Sequence, residues 1–168
     1  MKKVFFMLLV GFAPMISFGQ AKDVVDIAIG SADHTTLVAA VKAADLVTTL
    51  KGKGPFTVFA PTNAGFDKLP AGTVATLLKP ENKAQLAKIL TYHVVSGSLD
   101  AKAVMAAIKK GKGKVVLTMV SGGKLTATID NGKVKLTDEN GGAAYVTATD
   151  LKGTNGIVHV IDGVVLPK

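Results

Sequence analysis

The sequence predicts an α+β fold, and three observations support this class. Apolar residues recur at helical spacing through residues 23–50 and again through 86–90. After residue 124 the apolar positions alternate with polar ones, which is the period of a half-buried strand. An Asn131-Gly132 pair interrupts that alternation, as expected at a tight hairpin. Because helices and strands are segregated along the chain, we expect helices packed along one side of a mainly antiparallel sheet.

The first predicted helix covers residues 23–30, and the second begins at Thr35 or Thr36, whose hydroxyl can accept from the free amides of the first turn. A short helix follows at 46–50, and a Lys- and Gly-rich loop ends it. The apolar positions that define the first two helices are Val24, Ile27, Ala28, Leu37, Val38, Val41 and Ala44.

Residues 56–60 are rich in β-branched and aromatic side chains and predict the first strand. Thr62 or Asn63 then starts a helix that turns Phe66 and Leu69 inward. Further helices are predicted at 73–78, from Pro80 through Leu90, and at 101–108. Residues 92–95 predict a short strand between the last two of these helices.

The second half of the chain predicts a hairpin at Asn131-Gly132, since both residues tolerate the positive φ of a type I′ turn. The predicted strands after the hairpin are 145–149, 157–161 and 164–166. The residues expected on the inward face of the hairpin are Leu125, Ala127, Ile129, Val134 and Leu136.

Residues 1–19 predict a cleavable export signal. Lys2 and Lys3 precede an almost wholly apolar run, and Ser17 and Gly19 place small residues before a cut at Gly19-Gln20. A membrane anchor is the alternative, but about 15 apolar residues fall short of the roughly 20 that a spanning helix needs. We therefore expect a secreted or periplasmic product, with residues 20–168 as a single soluble domain and no transmembrane segment.

All basic residues are lysines, and the formal net charge is +8. Without Arg, the planar fork that reads guanine edges is missing, so a nucleic-acid partner is not expected. The densest cluster, Lys109, Lys110, Lys112 and Lys114, alternates with Gly and predicts a solvated loop. Its alternative role is an electrostatic contact with acidic polysaccharide or an anionic cell surface.

Catalytic and metal-binding motifs are absent from the sequence. No Cys is present, and His34, His93 and His159 form neither HExxH nor a paired ligand spacing. No Ser lies in a GxSxG elbow. The sequence therefore predicts neither an enzyme nor a bound cofactor or metal.

Three separated segments resemble the fasciclin-like domain family of secreted adhesion proteins. They are FTVFAPTNAGFDKLP at 56–70, ILTYHVVSG at 89–97 and NGIVHVIDGVVLPK at 155–168. The resemblance implies a wedge- or sandwich-like α+β domain that binds a cell-surface receptor, a matrix protein or a polysaccharide.

The resemblance also implies Tyr92 and His93 as partner-binding candidates, with their aliphatic neighbours Ile89, Leu90, Val94 and Val95. The apolar surroundings of the pair indicate an alternative, a Tyr packed in the core beside a hydrogen-bonded His. The two interpretations conflict, because a receptor contacts only what the fold exposes.

Four polar residues are predicted to have structural roles. Thr62 and Asn63 are expected to cap a helix. The family pattern carries an acidic residue and then Ala where this chain has Ala64 and Gly65, so a capping-box partner is missing and a weaker helix start is expected. His159 and Asp162 are expected to form a partly buried polar pair that ties the last strand to the fold.

The leading functional expectation is an adhesion module without catalysis. Two alternatives remain open: an electrostatic binder of acidic polysaccharide through the lysine cluster, and a carrier that holds a small apolar ligand in a cavity beneath the sheet.

Overall fold

The computed structural model describes residues 21–168, so the predicted signal at 1–19 lies outside the described residues. In the described part, seven α-helices and two short 3-10 helices, Ala32–His34 and Pro80–Asn82, accompany one seven-stranded sheet. The helices are α1 Val24–Ile29, α2 Thr35–Ala43, α3 Val47–Leu50, α4 Asn63–Asp67, α5 Thr73–Leu77, α6 Lys83–Thr91 and α7 Ala101–Lys110. The strands are β1 Phe56–Pro61, β2 Val94–Ser96, β3 Lys114–Thr118, β4 Lys124–Asp130, β5 Lys133–Thr137, β6 Ala143–Gly153 and β7 Gly156–Ile161.

The strands follow the order β2-β1-β7-β6-β5-β4-β3. Every neighbouring pair is antiparallel except β1 and β7, which run parallel. The two edges of the sheet approach each other at one point. There the Val120 amide, just after β3, donates to the Val94 carbonyl of β2 at 2.8 Å. The α+β class and the mainly antiparallel sheet are therefore confirmed.

The β4–β5 hairpin has the predicted turn. Asp130 pairs with Lys133 across the two-residue loop, and Asn131 and Gly132 have φ of 49° and 77°. Both values lie in the left-handed region that a type I′ turn requires. Leu125, Ala127 and Leu136 are buried as predicted, whereas Ile129, at the end of its strand, is 39% exposed.

Two hydrophobic clusters lie on the two sides of β1. The first packs α1, α2, α3, α4, α5 and α6 against the sheet and includes Leu37, Phe66, Leu86 and Leu90. The second lies between α7 and the inner face of β3–β6 and includes Phe59, Tyr92, Leu125 and Leu136. The segment 89–95, which runs from the end of α6 into β2, lies where the two clusters meet, since it supplies residues to both.

The predicted strand at 92–95 is confirmed only from Val94 onward, and the one predicted at 164–166 is wrong; in each case the backbone amides have other partners. The amide of Tyr92 donates to Lys88 O and that of His93 to Leu90 O, so this pair ends α6, and β2 begins only at Val94. Residues 164–166 form no strand, because Val165 N donates to the His93 ring and Leu166 N to the Asp138 carboxylate.

The predicted cap of α2 is also wrong. Thr35 is already helical, and the Thr36 amide donates at 3.0 Å to the side-chain oxygen of Asn63, which is distant in sequence. By contrast, α1 caps itself with a reciprocal box, in which Asp23 accepts from the amides of Val25 and Asp26 while Asp26 accepts from Asp23 N.

Candidate functional site

Tyr92, the first partner-binding candidate, is fully buried, with 0% of its surface exposed. Its hydroxyl donates to the Lys124 carbonyl at 2.6 Å, which joins the end of α6 to the start of β4. The ring lies so close to Gly123 that a Cβ there would come within 2.6 Å of it. Burial raises the pKa of the hydroxyl. Tyr92 therefore connects a helix to the sheet within the second hydrophobic cluster.

His93 is 2% exposed, and both of its ring nitrogens are hydrogen-bonded. Nδ1 lies 2.8 Å from the Ile89 carbonyl and must carry the proton, because a carbonyl only accepts. Nε2 then accepts from the Val165 amide at 3.2 Å. Burial lowers the pKa of His93 to about 4, so the ring is neutral at pH 7.

The four aliphatic candidates beside this pair are buried as well. Ile89, Leu90 and Val94 belong to the cluster on the helical side, and Val95 belongs to the cluster under β3–β6. The backbone also connects this segment to the sheet, since the His93 carbonyl accepts from Phe59 N of β1 at 2.8 Å. The segment 89–95, which we call the buried junction, ties α6, β1, β4 and the chain end together. In the folded domain it offers a partner no side-chain surface at Tyr92 or His93.

The lysine cluster is exposed, but only part of it is a loop. Lys109 and Lys110 form the last turn of α7, where positive charge interacts favourably with the helix dipole. Lys112 lies in the connecting turn with φ 56°, and Lys114 is the first residue of β3. Within residues 21–168, no acidic group lies within 4.0 Å of these four amines.

Thr62 and Asn63 have different structural roles. Thr62 caps α4, accepting from Gly65 N at 3.2 Å through its hydroxyl. Asn63 instead holds the start of α2, where it accepts from Thr36 N and donates to the Ala32 carbonyl at 3.0 Å. Gly65, which replaces the Ala of the family pattern, lies against the backbone of residues 162 and 163, where a Cβ would find contacts of 3.1 Å.

His159 and Asp162 do not form a pair with each other. His159 is 2% exposed, stacks on Phe59, and lies with Nε2 2.7 Å from the Leu99 carbonyl. Asp162 accepts from Tyr145 N at 2.7 Å and forms an ion pair with Lys68 at 3.2 Å. Each residue ties β7 to the fold, but through its own partners.

The buried polar side chains that the sequence analysis missed include those of Asn155 and Asp138. The Asn155 amide accepts from Val24 N and donates to the carbonyls of Leu50 and Gly52, which fixes α1 and the end of α3 to the β6–β7 turn. Asp138 accepts from three backbone amides, those of Asn140, Gly142 and Leu166. Asn155 lies in a turn between Gly153 and Gly156, and Asp138 precedes a turn that contains Gly141 and Gly142. These glycines were the available signal, but the long-range partners of the two side chains could not be read from the sequence.

Two further features bear on ligands. An apolar cavity of about 40 Å³ lies between α1, α2, α3, α6 and β1, with His93 in its wall. This volume is far below the roughly 300–1,000 Å³ of ordinary small-molecule sites. Across residues 21–168, no group of three or more His, Asp or Glu side chains could hold a metal ion, and no helix is long and apolar enough to cross a membrane.

Sequence relatives share most of this chain. The protein sll1483 of Synechocystis sp. is 49% identical over 148 residues, which cover 88% of this chain and 75% of that protein. The immunogenic protein MPB70 of Mycobacterium bovis is 34% identical, covering 89% of this chain and 72% of its own length. The transforming growth factor-beta-induced protein ig-h3 of Sus scrofa is 36% identical, but the match spans only 19% of that protein.

A solved structure matches the fold. The domain pair of the insect cell adhesion molecule Fasciclin I superposes with a TM-score of 0.74 at 20% identity, covering 86% of this chain and 51% of that one. At this identity the likeness establishes the fold alone. The family model described as the Fasciclin domain matches residues 32–167, which is nearly the whole described chain. Together with the sequence relatives, this match shows that the chain belongs to the fasciclin domain family.

Proposed function

We propose that this chain is an exported adhesion module that binds a cell surface, a matrix protein or a polysaccharide, without catalysis. The observation that carries the proposal is the family membership, together with a fold shared with a domain pair of a cell adhesion molecule. The proposal includes removal of residues 1–19 and release of the domain into the periplasm or the medium. Because the buried junction is inaccessible, the binding surface lies elsewhere on the domain.

A test uses the mature product of the full chain, purified after export and offered both as free protein and in many copies on beads. We expect beads to be retained at physiological salt on at least one of three coatings: whole cells, matrix proteins or polysaccharides. Many copies should bind more strongly than the free domain, because linked sites raise the effective concentration. Beads that carry heat-unfolded protein control for non-specific adsorption. Failure of folded beads to bind any coating above this control would overturn the proposal.

A second candidate function is electrostatic association with acidic polysaccharide through Lys109, Lys110, Lys112 and Lys114. The observation in its favour is their exposure without acidic partners within the described residues. Binding of this kind weakens steeply as salt rises, because exposed charges are screened over about 8 Å at physiological ionic strength. An affinity that does not change with salt would exclude it. The carrier alternative is not pursued, because the apolar cavity holds only about 40 Å³. The larger cleft, of about 370 Å³, has a partly charged lining that includes Lys53, Asp100 and Lys152, which does not suit a small apolar ligand.

A further inference from the structure

The outer face of strands β3–β6 carries a second, more extended group of lysines. Strand registers align Lys114 of β3 with Thr128 of β4, Thr128 with Lys135 of β5, and Lys135 with Tyr145 of β6. Since alternate residues on a strand point to the same side, the outward positions follow from these pairings. We call this surface the outer lysine face; its members are Lys114, Val116, Thr118, Lys124, Thr126, Thr128, Asp130, Lys133, Lys135, Thr137 and Tyr145.

The two sides of these strands differ in burial: residues that point inward are packed, whereas residues that point outward are accessible to solvent. Leu117, Leu125 and Leu136 point into the second hydrophobic cluster, where Val104 and Ile108 of α7 cover them. The outward residues are exposed or half-buried, and Val116 is 51% exposed. The exposure of these residues shows that no helix in the described part of the chain covers this side of β3, β4 and β5.

Charge on the outer lysine face is strongly positive. The surface carries four lysines and one acidic residue, Asp130. The Asp130 carboxylate accepts from the Tyr145 hydroxyl at 2.9 Å and lies 3.9 Å from the Lys135 amine. Lys114, Lys124 and Lys133 have no acidic group within 4.0 Å among residues 21–168. A second carboxylate, that of Glu139, lies at one end and accepts from the backbone amide of Lys124. The face therefore carries uncompensated positive charge.

The spacing of these lysines suits an extended partner. Lys124 and the Asp130–Lys133 pair lie at opposite ends of β4, about 20 Å apart at the usual rise per strand residue. Lys114 and Lys135 share one row two strands apart, at about 10 Å. Thr126, Thr128 and Thr137 lie between the charges and offer hydroxyls that both donate and accept.

We propose that the outer lysine face binds an acidic linear polysaccharide, with its lysines on carboxylates or sulfates and its threonines on sugar hydroxyls. This inference rests on the proposed adhesion function and names the partner class and the surface. Charge complementarity selects a polyanion, and the row of hydroxyls favours a polymer rich in hydroxyl groups. Lysine is a hydrated point charge rather than a bidentate fork, so the face fits charges that repeat along a chain rather than one tightly held group.

The test compares three triple variants of the mature protein, each of which removes three positive charges. The face variant is Lys114→Gln with Lys124→Gln and Lys133→Gln. The cluster variant is Lys109→Gln with Lys110→Gln and Lys112→Gln. The control variant is Lys42→Gln with Lys53→Gln and Lys79→Gln, all exposed positions in the helical half without acidic partners within the described residues.

The probe is alginate, a linear polyuronate, with neutral dextran as the uncharged comparison. We expect wild type to bind alginate and not dextran at low salt. The face variant should bind roughly tenfold more weakly, as expected when three modest charge contacts are lost, while the control variant stays within about twofold. Circular dichroism and the unfolding midpoint confirm that each variant is folded.

Three results would overturn the inference. One is equal loss in the face and control variants, which would show a response to net charge alone. Another is loss only in the cluster variant, which would place the contact at the end of α7. The third is no alginate binding by wild type; adhesion to cells or matrix proteins would then leave the proposed function standing while the partner class fails.

Discussion

The buried junction and the outer lysine face meet at a single residue, Lys124. Its carbonyl accepts the Tyr92 hydroxyl inside the domain, while its side chain stands on the exposed side of β4. On the inner side every side-chain polar atom of Tyr92 and His93 has a partner, and both residues are buried. On the outer side, three of the four lysine amines have no acidic group within 4.0 Å among residues 21–168. The motif at 89–97 therefore holds the fold, and the Lys and Thr alternation forms the exposed surface that we propose for contact with a partner.

The largest expected effect is the difference in stability between substitutions of the two tyrosines of the chain. Tyr92 belongs to the buried junction, and Tyr145 belongs to the outer lysine face. Tyr92→Ala should reduce the free energy of unfolding by about 4 kcal/mol, because it opens a cavity in a packed core and leaves the Lys124 carbonyl without a partner. Tyr145→Ala, on the outer face, should cost about 1 kcal/mol or less. Denaturant unfolding of both variants measures the difference. Similar losses for the two would contradict the distinction between junction and face.

The pH dependence of stability tests the junction at His93. Its folded pKa of about 4 lies below its ordinary value, so between these values the unfolded chain binds the proton that the folded chain excludes. The contribution of neutral His93 to the free energy of unfolding is complete above pH 6.5, falls as the pH drops toward 4, and then levels off. The loss should reach about 3 kcal/mol at 1.36 kcal/mol per pKa unit. Burial also lowers the pKa of His34, whose contribution has the same sign.

His93→Gln provides the control for this measurement. A Gln side chain can still accept from the Val165 amide but does not titrate, so its unfolding free energy should fall less between pH 7 and pH 4. Urea unfolding at several pH values gives both curves. Parallel curves for wild type and variant would show that His93 does not cause the slope.

The smallest effect is expected from the face variant. Removing the charges of Lys114, Lys124 and Lys133 should change the free energy of unfolding by no more than about 0.5 kcal/mol per site, because these side chains are exposed and make no ion pairs within the described residues. Thermal unfolding checks this. A large destabilisation would mean that the lysines serve the fold, and the contrast between the two regions would be lost.

Much of the fold could be predicted from the sequence, and the successes share a local cause. The hairpin at Asn131-Gly132 depends on two residues that tolerate positive φ, and the Thr62 cap depends on an amide three positions away. The errors arose where a distant partner competes with the local pattern. Thr36 lost its predicted capping role to Asn63, and the final segment lost its predicted strand to His93 and Asp138.

The candidate site likewise has features that the sequence predicted and features that required the folded structure. Alternation of Lys and Thr in residues 124–137 already placed polar side chains on one face, but it did not show that four strands would align them into a surface. For Tyr92 and His93, the apolar neighbours indicated burial while the family resemblance indicated binding. Only packing could decide between these interpretations.

The sequence by itself determined the α+β class, the family, the hairpin and the lysine-only positive charge, because these depend on residue type and short-range spacing. The tertiary structure decided which residues are exposed and which are buried. Exposure depends on what the rest of the chain covers: α7 covers the inner side of β3 and β4, whereas α6, β1, β4 and the chain end enclose Tyr92 and His93. No short-range pattern specifies that arrangement, because its contacts join residues that are tens of positions apart.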